Sequence, residues 1–495
     1  MDYSNFKRIF EPERIAIIGV SAEGLGFGKA ILMALISIGY GGELFPVNPR
    51  GGTTAGLTIY ESVESIPSPI DLGIIAVPAP LVPDAVEACM KKGAAGVEIL
   101  SAGFRETGTA EGISLEEKIS GLRSNSTRVI GPNCFGIYNP RSGVTMLPGP
   151  DLSREPGPVG FISQSGGMAV DFAHIGKWRG IRFSTMVSFG NGVDLRETEL
   201  LEYMGADPDT GIVGMYIEGL NDGRSFFNVL KSVCSRKPVI ICKGGMSESG
   251  SRAAMSHTAS IAGKSEIWRS VFRQCNAIPA MDIQDLCNYS LAFSALPPRV
   301  YHGVSIIGGG GAIGVAAADI AALYDMVIPE FDGPIHDAIL SLLPRPGSSA
   351  KNPVDVANPF VSPDILREIL LQSATNRAVD IQIVVQLLYH YKSIAAHLKG
   401  ASVKEITPTA SFAKAFSDAA AASGKPVIVV IPDYKQEQES LDVAEVIRDA
   451  RKQYTDSGMP VFDDIKVALQ SIKVVSEYYR RRNSRSVSLS LHLSE

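Results

Sequence analysis

His257 stands in the stretch AAMSHTASIAGK, residues 253–264, with no cysteine, second histidine or carboxylate within six residues. A lone imidazole among small and hydroxyl side chains is either a buried structural group or a nucleophile whose partners come from elsewhere in the chain. Two glycine-rich turns offer such partners. FISQSGGMAV sets Ser165, Gly166 and Gly167 between an apolar run and a helix-like stretch, and VSIIGGGGAIG does the same with Gly310 and Gly311. A helix starting at either turn has unsatisfied N–H donors and a partial positive end, which suits a phosphoryl group. Beside a held phosphate, a neutral imidazole is a phosphoryl carrier, provided that its other ring nitrogen is kept as N–H. Glu218, closing the strand-like run GIVGMYIEG, offers the carboxylate for that bond. Its pairing with His257 follows from its place at a strand end, not from spacing. Two tight strand–helix packings without a ligand are the alternative reading of the turns.

These groups have to be positioned by alternating strands and helices. Ile15 to Val20 is an apolar run of strand length, a glycine-rich turn follows, and Lys29 to Ile38 has helical periodicity. Further strand-like runs lie at 42–49, 71–80, 93–103 and 128–134. The alternation predicts an α/β fold with doubly wound parallel sheets and ligands at the carboxyl ends of the strands. A Pro- and Gly-rich stretch around 140–157 reads as a linker. Beyond it, Val159 to Ala169 aligns in order with Val304 to Gly314, and Lys237-Pro-Val-Ile-Ile with Lys425-Pro-Val-Ile-Val, which suggests two copies of a flavodoxin-sized plan. The expected organisation is a Rossmann-like domain at 1–140, a flavodoxin-like domain carrying the histidine loop at 141–296, a second flavodoxin-like domain at 297–480 and a frayed, flexible tail at 481–495.

The first turn, Gly24-Leu-Gly-Phe-Gly28, is not the GxGxxG of dinucleotide folds, and the next strand closes in Val47-Asn48-Pro49-Arg50 without an acid to grip a ribose. That disfavours an NAD dehydrogenase. Arg50 suits a phosphate, and a plain structural turn is the alternative. A net charge of −6 gives no support to a nucleic-acid partner. The six cysteines form no C-x-x-C pair and read as buried thiols of a reducing compartment. No apolar run approaches the ~20 residues that span a bilayer, and MDYSNFKRIF lacks a signal-peptide core. A cytoplasmic protein without a membrane partner is expected.

Taken together, IIGVSAEG, PVNPRGGTTAGL, VPAPLVPDAV, ILSAGF, VIGPNCFG, GFISQSGG, FGNGVD, MYIEGL, KGGMSESGSRAAMSHT and KNPVDV resemble the nucleoside-diphosphate-forming acyl-CoA synthetases. The likeness is to the α subunit of the ADP-forming acetyl-CoA synthetase type, related to the succinyl-CoA synthetase α subunit, over about 480 residues. It implies that the first domain binds coenzyme A through Gly19, Ser21, Ala22, Gly24, Asn48, Pro49, Arg50, Ala76, Val77, Pro78, Ser101 and Ala102. It places His257 on the phosphorylated histidine and Glu218 on the glutamate that orients it. Ser165, Gly166 and Gly167, with Gly310 and Gly311, fall on the phosphate-binding helix starts.

The implied reaction converts carboxylate, CoA and ATP reversibly to acyl-CoA, ADP and phosphate through an acyl phosphate and a phosphohistidine. No segment resembles an ATP-grasp domain. The resemblance therefore implies an ATP-grasp β subunit holding ATP or ADP with Mg2+, in a heterotetramer. Ala259 replaces a glycine common after SHT. Met168, Val170 and Phe189 are the expected apolar lining for the acid, and no metal ligand is expected in this chain. A CoA acyltransferase working without nucleotide and a non-catalytic CoA-binding regulator are the alternatives.

Overall fold

The computed structural model describes residues 3–24, 26–145, 152–252, 264–398 and 401–492. His257 and Ala259 lie outside the described residues. The chain forms two compact units, Met1–Lys177 with Ile181–Ser290, and Trp178–Gly180 with Leu291–Glu495.

The first unit opens with β1 (Arg14–Ile18) and β2 (Glu43–Val47), a ribbon of β3 (Thr53–Thr54) and β4 (Leu57–Thr58), then β5 (Leu72–Ile75), β6 (Gly96–Ile99) and β7 (Arg128–Ile130). Apart from the ribbon these pair in the order β2-β1-β5-β6-β7, all parallel. The runs RIAII, LGII and GVEI are almost wholly buried, as strands covered on both faces by helices must be. The order reverses between β1 and β5, the place where such sheets take ligands beyond the strand ends.

A second sheet repeats the plan. It comprises β8 (Gly136–Tyr138), β9 (Pro156–Ser163), β10 (Phe183–Ser188), β11 (Ile212–Ile217), β12 (Val239–Lys243) and β13 (Ile278–Ala280), in the order β13-β12-β11-β9-β10-β8. Only β8 runs antiparallel, on β10. Here the order reverses between β9 and β11.

The two sheets pack together in one compact unit. Gly136–Tyr138 already belongs to the second sheet, so the chain crosses before the expected boundary at 140. One continuous core holds Ile17 and Leu32 from the first sheet's layers with Ile162 and Met215 from the second. Phe6 and Phe10 of helix α1 (Tyr3–Phe10) stack on Tyr203, 5.0 and 4.7 Å between ring centres. Glu98, 3% exposed on β6, accepts a hydrogen bond from the Ile137 amide at 3.1 Å. Burial pushes its carboxyl up to about 8.

The second unit carries β14 (Val304–Gly308), β15 (Ile381–Val385), β16 (Val427–Val430) and β17 (Val461–Phe462), parallel and in that order. Its core centres on Phe412, Phe416 and Tyr454, with Phe416 stacked on Tyr454 at 5.9 Å. The last helix runs Ile465–His492 and takes in residues 481–492 of the expected tail. That segment contains neither Gly nor Pro, and nothing in it stops the helix. All six cysteines are buried. No helix among the described residues is long and apolar enough to cross a membrane.

Candidate active site

The expected CoA residues gather at the carboxyl ends of the first sheet's strands. Gly19 to Gly24 follow β1, Asn48 to Arg50 follow β2, Ala76 to Pro78 follow β5, and Ser101 and Ala102 follow β6. Gly19 has φ +103°, and a Cβ there would lie 2.4 Å from the Ala76 carbonyl oxygen, so the two loops touch only because this residue is glycine. Lys29 Nζ donates to the Ala22 carbonyl at 2.8 Å, and the Arg50 amide donates to Asn48 Oδ1 at 3.0 Å. Ser101 Oγ donates to the Val77 carbonyl, and the Asn133 amide to the Ser101 carbonyl at 3.0 Å. The loops therefore form one braced rim, with Ala22, Gly24, Pro49, Arg50, Pro78 and Ala102 exposed on it.

Ser163, Gln164 and Ser165 leave β9 at the second reversal point. The Ser165 amide donates to Ser163 Oγ at 3.1 Å, and Ser165 Oγ accepts the Met168 amide at 3.3 Å. Ser165 thus caps helix α5 (the stretch Gly166–Arg179). The first-turn amides of Gly166 and Gly167 have no carbonyl one turn back to take them. A Cβ on Gly166 would lie 2.0 Å from Phe135 Cδ2, whereas one on Gly167 would meet little. Close packing against GPNCF dictates the first glycine, and an open approach characterises the second.

Glu218 follows β11 across that reversal point and is 6% exposed. Gln164 Oε1 accepts its backbone amide at 2.8 Å and that of Gly219 at 3.2 Å, which locks the helix-start turn to the Glu218 strand end. Tyr216 hydroxyl donates to Glu218 Oε1 at 3.0 Å. Burial and the Glu218 charge raise the phenol above its ordinary value, so the proton stays on tyrosine. Lys243, ending β12, donates to the backbone carbonyls of Glu218, at 2.7 Å, and of Gly244. Its ammonium lies 5.5 Å from the Trp268 ring centre. Burial pushes it down to about 8, against the pull of Glu218.

A cleft of about 1030 Å³ lies at the start of α5 within the first unit, and neither Glu218 nor the expected CoA residues line it. It is lined by Asn133, Cys134 and Phe135, by Gln164 to Gly167, and by Gly219 to Asn221, with Arg105, Arg123 and Arg196 on its walls. Asn191 Nδ2 bridges Glu106 and Glu116 at 2.6 and 2.8 Å. Phe189 is fully buried, and neither it nor Met168 or Val170 lines this cleft. Gln164, Tyr216, Lys243 and Asn191 were not assigned from the sequence. Of these, Lys243 carries the plainest signal, a charge at the end of the apolar run VIICK.

In the second unit Gly310 caps the helix Gly311–Leu323 with φ +82°. A Cβ on Gly311 would lie 3.1 Å from Asp355 Oδ2. Among the described residues no three His, Cys, Asp or Glu side chains converge to hold a metal ion.

Residues 13–140 match a family model described as a CoA binding domain, and residues 156–293 one described as a succinyl-CoA ligase like flavodoxin domain. The chain is 33% identical over 494 residues to acetate–CoA ligase (ADP-forming) I of Archaeoglobus fulgidus, which covers 99% of this chain and 66% of the relative. It is 37% identical over 357 residues to the α subunit of acetate–CoA ligase (ADP-forming) I of Pyrococcus furiosus, 71% of this chain and 76% of that one. Its fold is similar to that of the dinucleotide-forming acetyl-coenzyme A synthetase 1 of Ca. Korarchaeum cryptofilum in complex with phosphate and ADP. The TM-score is 0.79 at 29% identity, covering 98% of this chain and 99% of that one.

The Archaeoglobus relative overturns one expectation. There the whole matched region lies within a single longer polypeptide, so the likeness does not call for a separate ATP-grasp β subunit or a heterotetramer. By its domain content, its sequence and its fold, this chain belongs to the ADP-forming acid–CoA ligase family.

Proposed function

We infer that this chain interconverts an acyl-CoA and a carboxylic acid through an acyl phosphate and a phosphohistidine at His257. The observation that carries this is the Gln164 amide, which ties the anion-ready start of α5 to the Glu218 strand end beside one cleft.

In the thioester-consuming direction, a phosphate oxygen attacks the acyl carbonyl and the CoA thiolate leaves, giving acyl phosphate. A nitrogen of His257 then attacks phosphorus, the bond to the acyl oxygen breaks, and the carboxylate departs. Glu218 holds the proton on the other ring nitrogen and stabilises the imidazolium charge. The amides of Gly166 and Gly167 carry the phosphoryl charge in both states. The braced rim at β1, β2, β5 and β6 holds CoA, with Arg50 available to a CoA phosphate. The reverse sequence makes the thioester, and the complete reaction of ADP-forming relatives passes the phosphoryl group to or from ADP.

Incubation with an acyl-CoA and radiolabelled phosphate tests the reading without requiring a nucleotide. Acid-labile label on the protein, free CoA and free acid are expected together. His257→Ala should lose the label, and Glu218→Gln should reduce it by about 10²-fold or more. Unchanged labelling in a folded His257→Ala protein refutes the reading.

A further inference from the structure

Three strand ends of the first unit meet at one side chain. Beyond β6 the chain passes Ser101 and Ala102 into the segment 103–107, beyond β7 it makes the turn 131–135, and beyond β10 the turn 189–193. The last of these lies along the second. The amides of Asn191, Val193 and Leu195 donate to the carbonyls of Pro132, Gly131 and Val129, each at 3.0 Å. Gly190 has φ +55°, and a Cβ there would lie 2.3 Å from the Pro132 and Asn133 carbonyl oxygens, so only glycine allows this approach. The 131–135 turn reaches the start of α5 through Phe135, whose ring packs on Gly166.

The segment after β6 is tied to this pair of turns by Asn191. Its Nδ2 donates to Glu106 Oε2 at 2.6 Å and to Glu116 Oε2 at 2.8 Å. Glu106 Oε1 accepts the amides of Gly103 at 2.7 Å and Phe104 at 3.1 Å, which pins the chain directly beyond Ala102. Glu116, on the helix Ala110–Gly121, accepts Arg105 Nε at 2.8 Å. Burial works to raise the Glu106 carboxyl, but the bonds from Asn191, Gly103 and Phe104 outweigh it and hold the group below its ordinary value. The other charges nearby are committed elsewhere. Arg196 Nη1 donates to the Asn191 and Gly192 carbonyls at 3.2 Å with its Nε on Glu197, Arg123 Nη1 donates to the Val193 carbonyl at 3.4 Å, and Glu117 faces Arg105 at 3.8 Å. Among the described residues Asn191 alone donates to both carboxylates.

We propose that Asn191 is a positioning residue for the thioester step: its amide nitrogen holds the loop carrying Ser101 and Ala102 against the 131–135 turn, and so fixes the CoA rim relative to the start of α5. The assignment rests on the acid–CoA reading given above. Putting oxygen where that nitrogen stands inverts the contact. Asn191→Asp gathers three carboxylates at one point, and they stay together only by sharing a proton. Asn191→Leu removes the donor without adding a charge. Adding Glu106→Gln to Asn191→Asp exchanges donor and acceptor. The new amide nitrogen at 106 donates to the new carboxylate at 191, and the retained Oε1 still accepts the Gly103 and Phe104 amides.

CoA binding by calorimetry and acid-labile label from acyl-CoA and phosphate, both on the full chain between about pH 5.5 and about pH 8.5, test this. Relative to the wild type at pH 8, Asn191→Asp should label about 10²-fold more slowly and bind CoA about 10-fold more weakly. Both deficits should shrink by about 10-fold or to nothing toward pH 5.5, where a shared proton restores a donor. Glu106→Gln in the Asn191→Asp background should recover at least about 10-fold in labelling at pH 8. Asn191→Leu, the variant to use should Asn191→Asp not fold, should show deficits that do not change with pH. A folded Asn191 variant that binds CoA and labels like the wild type at pH 8 overturns the assignment. So does an Asn191→Asp deficit that is flat with pH or untouched by Glu106→Gln. If CoA binding follows the expected pattern while the wild type takes no label, the bridge stands and the activity reading falls. If the wild type labels and the variants match it, the reverse is true.

Discussion

Replacing Gln164 by leucine keeps most of the side-chain volume and removes one oxygen that accepts two backbone amides, those of Glu218 at 2.8 Å and Gly219 at 3.2 Å. A buried donor left without a partner costs about 1–3 kcal/mol, so two would cost about 2–6 kcal/mol. Gln164 borders the cleft, however, and water entering from it can satisfy part of the loss. The expected destabilisation is therefore near the lower end, about 2 kcal/mol. Urea unfolding should show a lower midpoint with an unchanged slope. The functional effect should exceed the stability effect, because the lock sets the Glu218 strand end relative to the start of α5. Label from phosphate and acyl-CoA should fall by about 10-fold or more under conditions where the variant is folded. Gln164→Glu retains an acceptor for both amides, so it should recover most of the stability while placing a second charge beside Glu218. A leucine variant within about 0.5 kcal/mol of the wild type and labelled normally would refute the argument.

Gly166→Ala forces a Cβ to within 2.0 Å of the Phe135 ring, and overpacking of this kind costs about 1–3 kcal/mol. Combining it with Phe135→Leu should recover part of that loss in a double-mutant cycle. Glu98 titrates near 8 in the fold and near 4.5 when unfolded, so between these values the native state binds the extra proton and stability falls as pH rises. Glu98→Gln should flatten that slope and, by pH 8, be more stable than the wild type by on the order of 4 kcal/mol in urea titrations. For Lys243 the sign is opposite. The unfolded side chain keeps its proton to about 10.5 and the folded one releases it near 8, so stability rises with pH across that window. Lys243→Met should lack this rise and, through the lost Glu218 and Gly244 carbonyl contacts, label more slowly at every pH.

Much of the site can be read from local pattern. The two glycine-rich turns stand between an apolar run and a helical period, and Glu218 closes an apolar run at the place where parallel sheets present ligands. What holds them together is not local. Gln164 meets amides 54 and 55 residues downstream, and Lys243 reaches back 25 residues to the Glu218 carbonyl. No spacing rule encodes such contacts. The shared core of the first two sheets was hidden for a related reason: a three-residue strand, Gly136–Tyr138, is too short to carry a periodicity. The second unit's apolar cavity draws on residues from Gly308 to Phe412, brought together only by the turns of the third sheet.

The central claim is that the phosphoryl group rests on His257. Mass spectrometry of protein treated with acyl-CoA and phosphate, digested at neutral to alkaline pH so that a phosphoramidate survives, reads this directly. The account predicts the phosphoryl mass on the peptide spanning residues 253–264, localised to His257 and lost on acid treatment. A phosphoryl group on another residue of a chain that turns over the thioester would contradict it. So would turnover at the wild-type rate in a His257→Ala protein carrying no phosphoryl group.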